Sequence, residues 1–263
     1  GIDYNIGSKK NSLTTPESEE IVSALNELYV KKVKHIIIEA SSHGLAQYRL
    51  DGVNFNIIAI TSLSRDHLDY HKTFKAYKVA KLRLFSEVSN QGIAIINKCV
   101  PDYKDFIEVA KSNNLKVITI GSSVSANWKY KINNINNGIQ EIEVIFNKVK
   151  TKVYSNLIGS FQINNLITAI SIMVEMGFRR EKIEKLISKL KAPPGRLELI
   201  QRKKGANIYI DYAHTPDALE NVLMAIRPYI KNKLYLVFGC GGDRDKGKRK
   251  LMGKIAYNYA DEI

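Results

Sequence analysis

The chain has 263 residues, 44% of them hydrophobic, and 40 Lys and Arg against 26 Asp and Glu give a net charge of +14. That length accommodates one large domain or two ordinary ones, each with its own core. The composition is that of a soluble globular protein, and no apolar run approaches the roughly 18 residues that a membrane helix needs.

The opening "GIDYNIGSKK" has no apolar stretch after its charges, so it does not read as a signal peptide. Two cysteines, Cys99 and Cys240, make no disulfide framework, and a reducing cytoplasm fits. A charge of +14 suits a polyanionic partner, but the lysines are spread along the chain, as a plain composition bias would spread them.

In chain order, "HIIIEA" (35–40) and "NIIAITSL" (56–63) are short β-rich runs. A helix beginning near Phe74 follows, then a strand "GIAIIN" (92–97), a helix near 102–113 and a strand "KVITIG" (116–121). This rhythm predicts an α/β fold, a parallel sheet with helices on both faces. Residues 128–157 alternate and turn at Asn-Asn-Gly, which predicts antiparallel strands. Helices are expected over 161–177 and 180–190. The run "KAPPGRLE" then stops the second helix and marks a linker, with a domain boundary near Gly195. Beyond it come strands in "LELIQ" and "NIYIDYA", a helix from Pro216, a strand "LYLVFG" (234–239) and a last helix to Ile263. This second α/β unit stops after one or two crossings, so the chain looks cut short.

Several segments place reactive side chains at strand ends, where ligand sites of parallel sheets form. Glu39 ends a predicted buried strand, and a carboxylate there needs a cation or donors. "RDHLDYH" (65–71) puts His67, His71 and two aspartates just after another strand, a set that suits a divalent cation. The plain alternative is a polar loop with Asp66 capping the next helix. Ser42 and His43 invite a hydrolase reading, but no G-x-S-x-G elbow is present.

Lys81 interrupts an apolar stripe made of Phe74, Tyr77, Leu84, Phe85 and Val88. An ammonium there must snorkel to water, pair with an acid or lose its charge. A neutral lysine adds carbon dioxide to form a carbamate, in effect a long carboxylate, which suits Mg²⁺ beside Glu39 and His67. Farther on, Asp211 and His214 sit at a strand end, and Thr215-Pro216 starts a helix. The glycines of "FGCGGDRDKGKRK" admit a phosphate or make a tight β–α turn.

The runs "TTPES", "EASSHGL", "SLSRDHLDYH", "YKVAKLRLF", "PPGRLE", "DYAHTPDALE" and "FGCGGDRDKGKRKLMG" span nearly the whole chain. In their order and spacing they resemble the Mur ligase family, in its tripeptide-synthetase type. The resemblance implies a central ATPase domain over 1–195, a mostly parallel sheet flanked by helices with a small antiparallel subsheet. It implies the start of a Rossmann-like C-terminal domain over 196–263. It also implies an ATP-dependent amide ligase of peptidoglycan synthesis: a carboxylate is activated as an acyl phosphate, and a diamino acid, meso-diaminopimelate or lysine, joins a UDP-N-acetylmuramoyl dipeptide.

By motif position, Lys81 resembles the family's carbamylated lysine, with Glu39 and His67 as the other protein ligands of a Mg²⁺. Thr14, Thr15, Ser42, Gln47 and Arg49 match positions gripping the UDP-linked peptide. Asn165, Arg196, Asp211 and His214 match positions around the nucleotide. Gln162 departs from the family's asparagine in "G-x-F-N-x-x-N". The family's phosphate-gripping T-G-T-N-G-K-T and its amino-acid-selecting D-N-P-R motif do not occur among these residues, so the 263-residue chain by itself is expected not to ligate. The resemblance implies a cytoplasmic monomer, with no nucleic-acid or membrane partner. Two other readings are a metal-dependent hydrolase built on Glu39, His67 and His71, and a basic nucleic-acid-binding module.

Overall fold

The computed structural model describes residues 13–64, 66–136, 139–203, 205–241 and 247–263. One six-stranded sheet runs in the order β1 (Phe55–Ile60), β2 (Val88–Asn97), β3 (Lys116–Gly121), β4 (Trp128–Asn136), β5 (Ile139–Phe146), β6 (Val149–Ser155). β3 and β4 pair parallel, whereas β4–β5 and β5–β6 are antiparallel. The predicted change of character at residue 128 is therefore real. Asn136 pairs with Ile139 across the expected turn, whose Asn137 and Gly138 lie outside the described residues. The alternation of β5 explains its role: Gln140, Ile142 and Val144 are buried on one face.

The chain forms two compact units. The first gathers residues 1–58, 67–94 and 102–117. Its helices are α1 (Ser18–Val30), α2 (Ser42–Ala46), α3 (Leu68–His71), α4 (Phe74–Leu82) and α5 (Tyr103–Ser112). Ile21, Ala24 and Leu28 are the buried residues of α1, a three-four stripe that predicts its inward face. Phe85 and Phe106 are fully buried, with ring centroids 6.0 Å apart.

The second unit gathers residues 59–66, 95–101 and 118–263. It contains α6 (Ser160–Glu175), α7 (Arg180–Ile187), the antiparallel hairpin β7 (Glu198–Lys203) and β8 (Ala206–Ile210), α8 (Pro216–Ile226) and α9 (Gly247–Tyr259). Thr215 caps α8 as its sequence predicts, its side chain accepting from Ala218 N, with Pro216 at the first turn. Ile158, Leu197, Leu219, Leu223, Ile226, Leu234 and Met252 form one core cluster.

Three expectations are corrected. Residues 35–40 form no strand, and Ile37 is 92% exposed. Residues 234–239 make only the single bridge Tyr235↔Glu262, and Val237 is 98% exposed. In both segments the backbone has strand-like composition but lacks a neighbouring ladder among the described residues. β propensity cannot replace inter-strand hydrogen bonds. The third correction is the stripe around Lys81: α4 stops at Leu82, Leu84 and Phe85 lie in a 3₁₀ turn, and Val88 opens β2.

The end of the chain is tied down by charge. Arg227 Nη1 donates to Asp261 Oδ2 at 2.5 Å, and Leu234 N donates to the same oxygen at 2.7 Å. The Arg227 hydrogen bond, with that of Leu234, holds the Asp261 carboxyl down at about 2. A depressed carboxyl stabilises the fold above its ordinary pKa, and that contribution is lost as pH falls through about 2. Carboxyl NMR should give Asp261 a midpoint near 2, and Arg227→Ala should move it toward the ordinary range.

Candidate functional site

In the first unit, the site begins with Thr15. It is fully buried. Its hydroxyl donates to Glu39 O at 2.6 Å and accepts from Ser41 N at 2.8 Å, stitching residues 39–41 in place of a sheet ladder. Its carbonyl accepts from Arg49 Nη1 at 2.8 Å. Thr14 beside it is exposed. Glu39 is exposed too, so the buried strand-end carboxylate expected from its sequence context is not what the fold presents.

Ser41 caps α2, its side chain accepting from Gly44 N at 3.1 Å. A Cβ on Gly44 would lie 2.7 Å from both Cβ and Cγ2 of Thr15, so only glycine lets the helix lie this close. Gly44→Ala should push Thr15 off Glu39 and Ser41 and cost about 1–3 kcal/mol of stability. Urea unfolding checks this, and adding Thr15→Ser, which removes Cγ2, should restore part of the loss.

Arg49 is almost buried and sits 3.0 Å from Glu17 Oε1. Its Nη2 donates to Gln47 Oε1, and Gln47 Nε2 donates to Tyr70 OH at 3.1 Å. Tyr48 between them adopts a left-handed φ of 61°. Such a conformation costs a non-glycine residue energy and clusters at functional sites. Thus Thr15, Gln47 and Arg49, named separately from the sequence, belong to one hydrogen-bonded group.

Tyr70 continues the group into a set of imidazoles. Its ring centroid lies 4.3 Å from His43 and 4.9 Å from His71. His43 lies 4.8 Å from His67 and 5.5 Å from His71. Tyr77 faces His71 at 5.4 Å, and Lys81 Nζ stands 5.3 Å from the Tyr77 centroid. Lys81 is half-buried in the last turn of α4, one turn after Tyr77, so it does share the inward face. His67 precedes α3 with a left-handed φ of 55° and makes no side-chain cap; it holds the position at which Asp66 was expected to cap. Burial, followed by the fields of His43 and His67, holds His71 below the usual imidazole range.

Among the described residues no three His, Cys, Asp or Glu side chains are placed to hold a metal ion. The hydrolase set Glu39, His67 and His71 is therefore not assembled as a metal centre. Three buried side-chain atoms in this region, Ser42 Oγ, Arg49 Nε and His71 Nε2, have no hydrogen-bond partner among the described residues.

In the second unit, Asp211 binds backbone on both sides. Its Oδ2 accepts from Leu197 N and its Oδ1 from Ala213 N, each at 2.8 Å. Arg196 packs its guanidinium over the Tyr212 ring at 5.4 Å. His214 Nδ1 lies 3.0 Å from Tyr212 O, and its Nε2 lies 3.9 Å from Asp66 Oδ2. Arg196, Asp211 and His214 are thus brought together. Asn165 is exposed on α6, three residues after Gln162. Gln162 is buried, and its Nε2 donates to Arg196 O at 2.8 Å. The amide that departs from the family pattern fastens α6 to the arginine's backbone. Glycine-turn residues 242–246 lie outside the described residues.

Sequence reasoning passed over Tyr70 and Tyr212, which no spacing singles out, and read Tyr77 only as part of an apolar stripe, because aromatic residues on helix faces are usually core.

Comparison with known proteins gives the family. The Mur ligase middle domain matches residues 1–173, and the Mur ligase glutamate ligase domain matches residues 195–263. The UDP-N-acetylmuramoyl-L-alanyl-D-glutamate--2,6-diaminopimelate ligase of Rickettsia typhi is 40% identical over 265 aligned positions, covering 98% of this chain and 52% of its own length. The protein of the same name from Agrobacterium fabrum is 41% identical, covering 96% of this chain and 52% of its own length. A solved structure of a ligase of that name superposes with a TM-score of 0.73 at 34% identity, over 93% of this chain and 50% of that one. The chain therefore spans about half the length of the curated relatives it matches. A folylpolyglutamate synthetase complex (TM-score 0.66, 14% identity) shares the fold alone. On the middle-domain and ligase-domain matches and on 40% identity across nearly all its residues, this chain belongs to the Mur ligase family.

Proposed function

We propose that this chain supplies the central part, and the beginning of the last part, of an ATP-dependent ligase. Its reaction would add meso-diaminopimelate to UDP-N-acetylmuramoyl-L-alanyl-D-glutamate in the cytoplasm. The observation that carries the reading is the linked group Thr15–Arg49–Gln47–Tyr70, which leads directly into the histidines beside Lys81.

In this reading Thr15 does not face the substrate; it holds the backbone of residues 39–41 in position. Thr14, Ser42, Gln47 and Arg49 offer donors to the carboxylates of the peptide, Arg49 through the Nε that has no partner. Glu39, His67 and a carboxylated Lys81 would hold Mg²⁺, which neutralises charge building on the transferring phosphoryl group when bound. Arg196, Asp211, His214 and Asn165 orient ATP in the second unit. The acceptor carboxylate takes the γ-phosphoryl group, and the incoming amine then displaces phosphate. Little proton chemistry is asked of the protein, so positioning carries most of the rate. The domain boundary is placed near Gly195, and the enzyme acts as a monomer. No helix among the described residues is long and apolar enough to cross a membrane.

A genetic test is direct. Residues 1–263 replace the matching stretch of the Rickettsia typhi ligase, and the chimera is expressed in cells depleted of their own diaminopimelate-adding enzyme. Growth is expected. Failure of a folded, well-expressed chimera to support growth contradicts the proposal.

A further inference from the structure

His71 is a residue to which the reading above gives no task. It closes α3 and is only 8% exposed, walled by the rings of His43, Tyr70 and Tyr77. Its Nε2 is buried and has no hydrogen-bond partner. A buried imidazole nitrogen without a partner forfeits its hydration, and native folds rarely tolerate that unless ordered water, a ligand or a modification completes the site. Lys81 is a long side chain that shares the Tyr77 ring with it: Tyr77 lies 5.4 Å from the His71 ring and 5.3 Å from Lys81 Nζ. As it stands, Lys81 leaves His71 Nε2 unsatisfied.

We propose that His71 is a positioning residue for a carboxylated Lys81, donating its Nε2–H to one oxygen of the carbamate. The neutral amine of Lys81 attacks carbon dioxide, a C–N bond forms, and one proton is released to solvent, leaving –NH–COO⁻. The new group lengthens the side chain and brings two acceptor oxygens toward His71, whose Nε2 makes no hydrogen bond among the described residues. Imidazole has an N–H to offer at Nε2 as the cation and in one of its neutral tautomers, so the contact does not depend on its charge. One oxygen held by His71 leaves the other directed away from it, for a cation. This inference rests on the assignment of Lys81 made under the proposed function.

The test uses the 263-residue chain with ¹³C-labelled bicarbonate and carbon NMR. A carbamate resonance is expected in the native sequence and lost in Lys81→Ala. At the same bicarbonate concentration His71→Leu should hold about tenfold less carbamate, the worth of one hydrogen bond to a charged acceptor. His71→Gln, whose amide still donates, should retain most of it. A second arm needs no change at His71: with ¹⁵N-labelled histidine, its Nε2 resonance should shift on adding bicarbonate, and should not in Lys81→Ala. Undiminished carbamate in His71→Leu, or an unmoved Nε2 resonance beside a formed carbamate, overturns the role of His71 and leaves Lys81 standing. No carbamate in the native chain overturns both.

Discussion

Lys81→Ala should abolish ligation by the chimeric enzyme, lowering kcat by on the order of a thousandfold or more while leaving KM for the UDP-linked peptide within a few-fold. The size follows from the proposed role. A ligand that helps hold a metal ion at a transferring phosphoryl group contributes several kcal/mol that appear only in the transition state. At about 1.4 kcal/mol per factor of ten, several kcal/mol is at least three decades. The split between kcat and KM follows from position. Lys81 stands on the Tyr77 and histidine side of the site, whereas the peptide-gripping group runs through Arg49, Gln47 and Tyr70. Small carboxylates in the medium should restore a fraction of the rate, because they supply the oxygens that the missing carbamate would have brought. Steady-state kinetics check both parts, and unchanged activity would refute the role.

Gly159→Ala should be the most damaging small substitution in the second unit, at about 2–5 kcal/mol. Two independent costs add. Gly159 has a φ of 89°, where a side chain is strained by about 1–2 kcal/mol. Its Cβ would also stand 2.5 Å from Ala225 Cβ and 3.1 Å from Phe161 Cε1, an overpacking cost of about 1–3 kcal/mol. Gly159 precedes α6, and Ala225 lies on α8 in the packing around Leu219, Leu223 and Ile226. Urea unfolding of Gly159→Ala measures the sum. Adding Ala225→Gly separates the parts, since it relieves the clash and leaves the backbone strain. A loss below about 0.5 kcal/mol, within the range of ordinary surface changes, would contradict the packing described.

How much of this was legible beforehand divides along physical lines. The helices with full signals were readable. Thr215-Pro216 announced α8, and the shift to alternation at Trp128 announced the antiparallel strands. Residues 35–40 and 234–239 were not, because a strand is a property of a pair of segments. Each carries the right residues, and neither finds a ladder among the described residues. The same limit shortened the helix around Lys81. A periodic stripe registers apolar faces but not the 3₁₀ turn that carries Leu84 and Phe85 into the core by another route.

The site shows the same division. Motif order pointed to Lys81, His67, Gln47 and Arg49. It could not show that Thr15 is wholly buried, its hydroxyl donating to Glu39 O and accepting from Ser41 N as a clamp on residues 39–41. Nor could it show that Gln162, read as a weakened contact, anchors the backbone of Arg196. Whether a polar side chain faces a ligand or the fold depends on partners far away in sequence, 24 residues for Thr15 and Glu39 and 34 for Gln162 and Arg196.

The most direct measurement is product formation by the purified chimera carrying residues 1–263, supplied with ATP, Mg²⁺, diaminopimelate and the UDP-linked dipeptide, with mass spectrometry as the readout. The account predicts one ADP released per tripeptide formed, no product without ATP, and none from the Lys81→Ala form or from the 263-residue chain alone. Tripeptide formed at an undiminished rate by the Lys81→Ala chimera, or hydrolysis of the dipeptide without ATP, would contradict it.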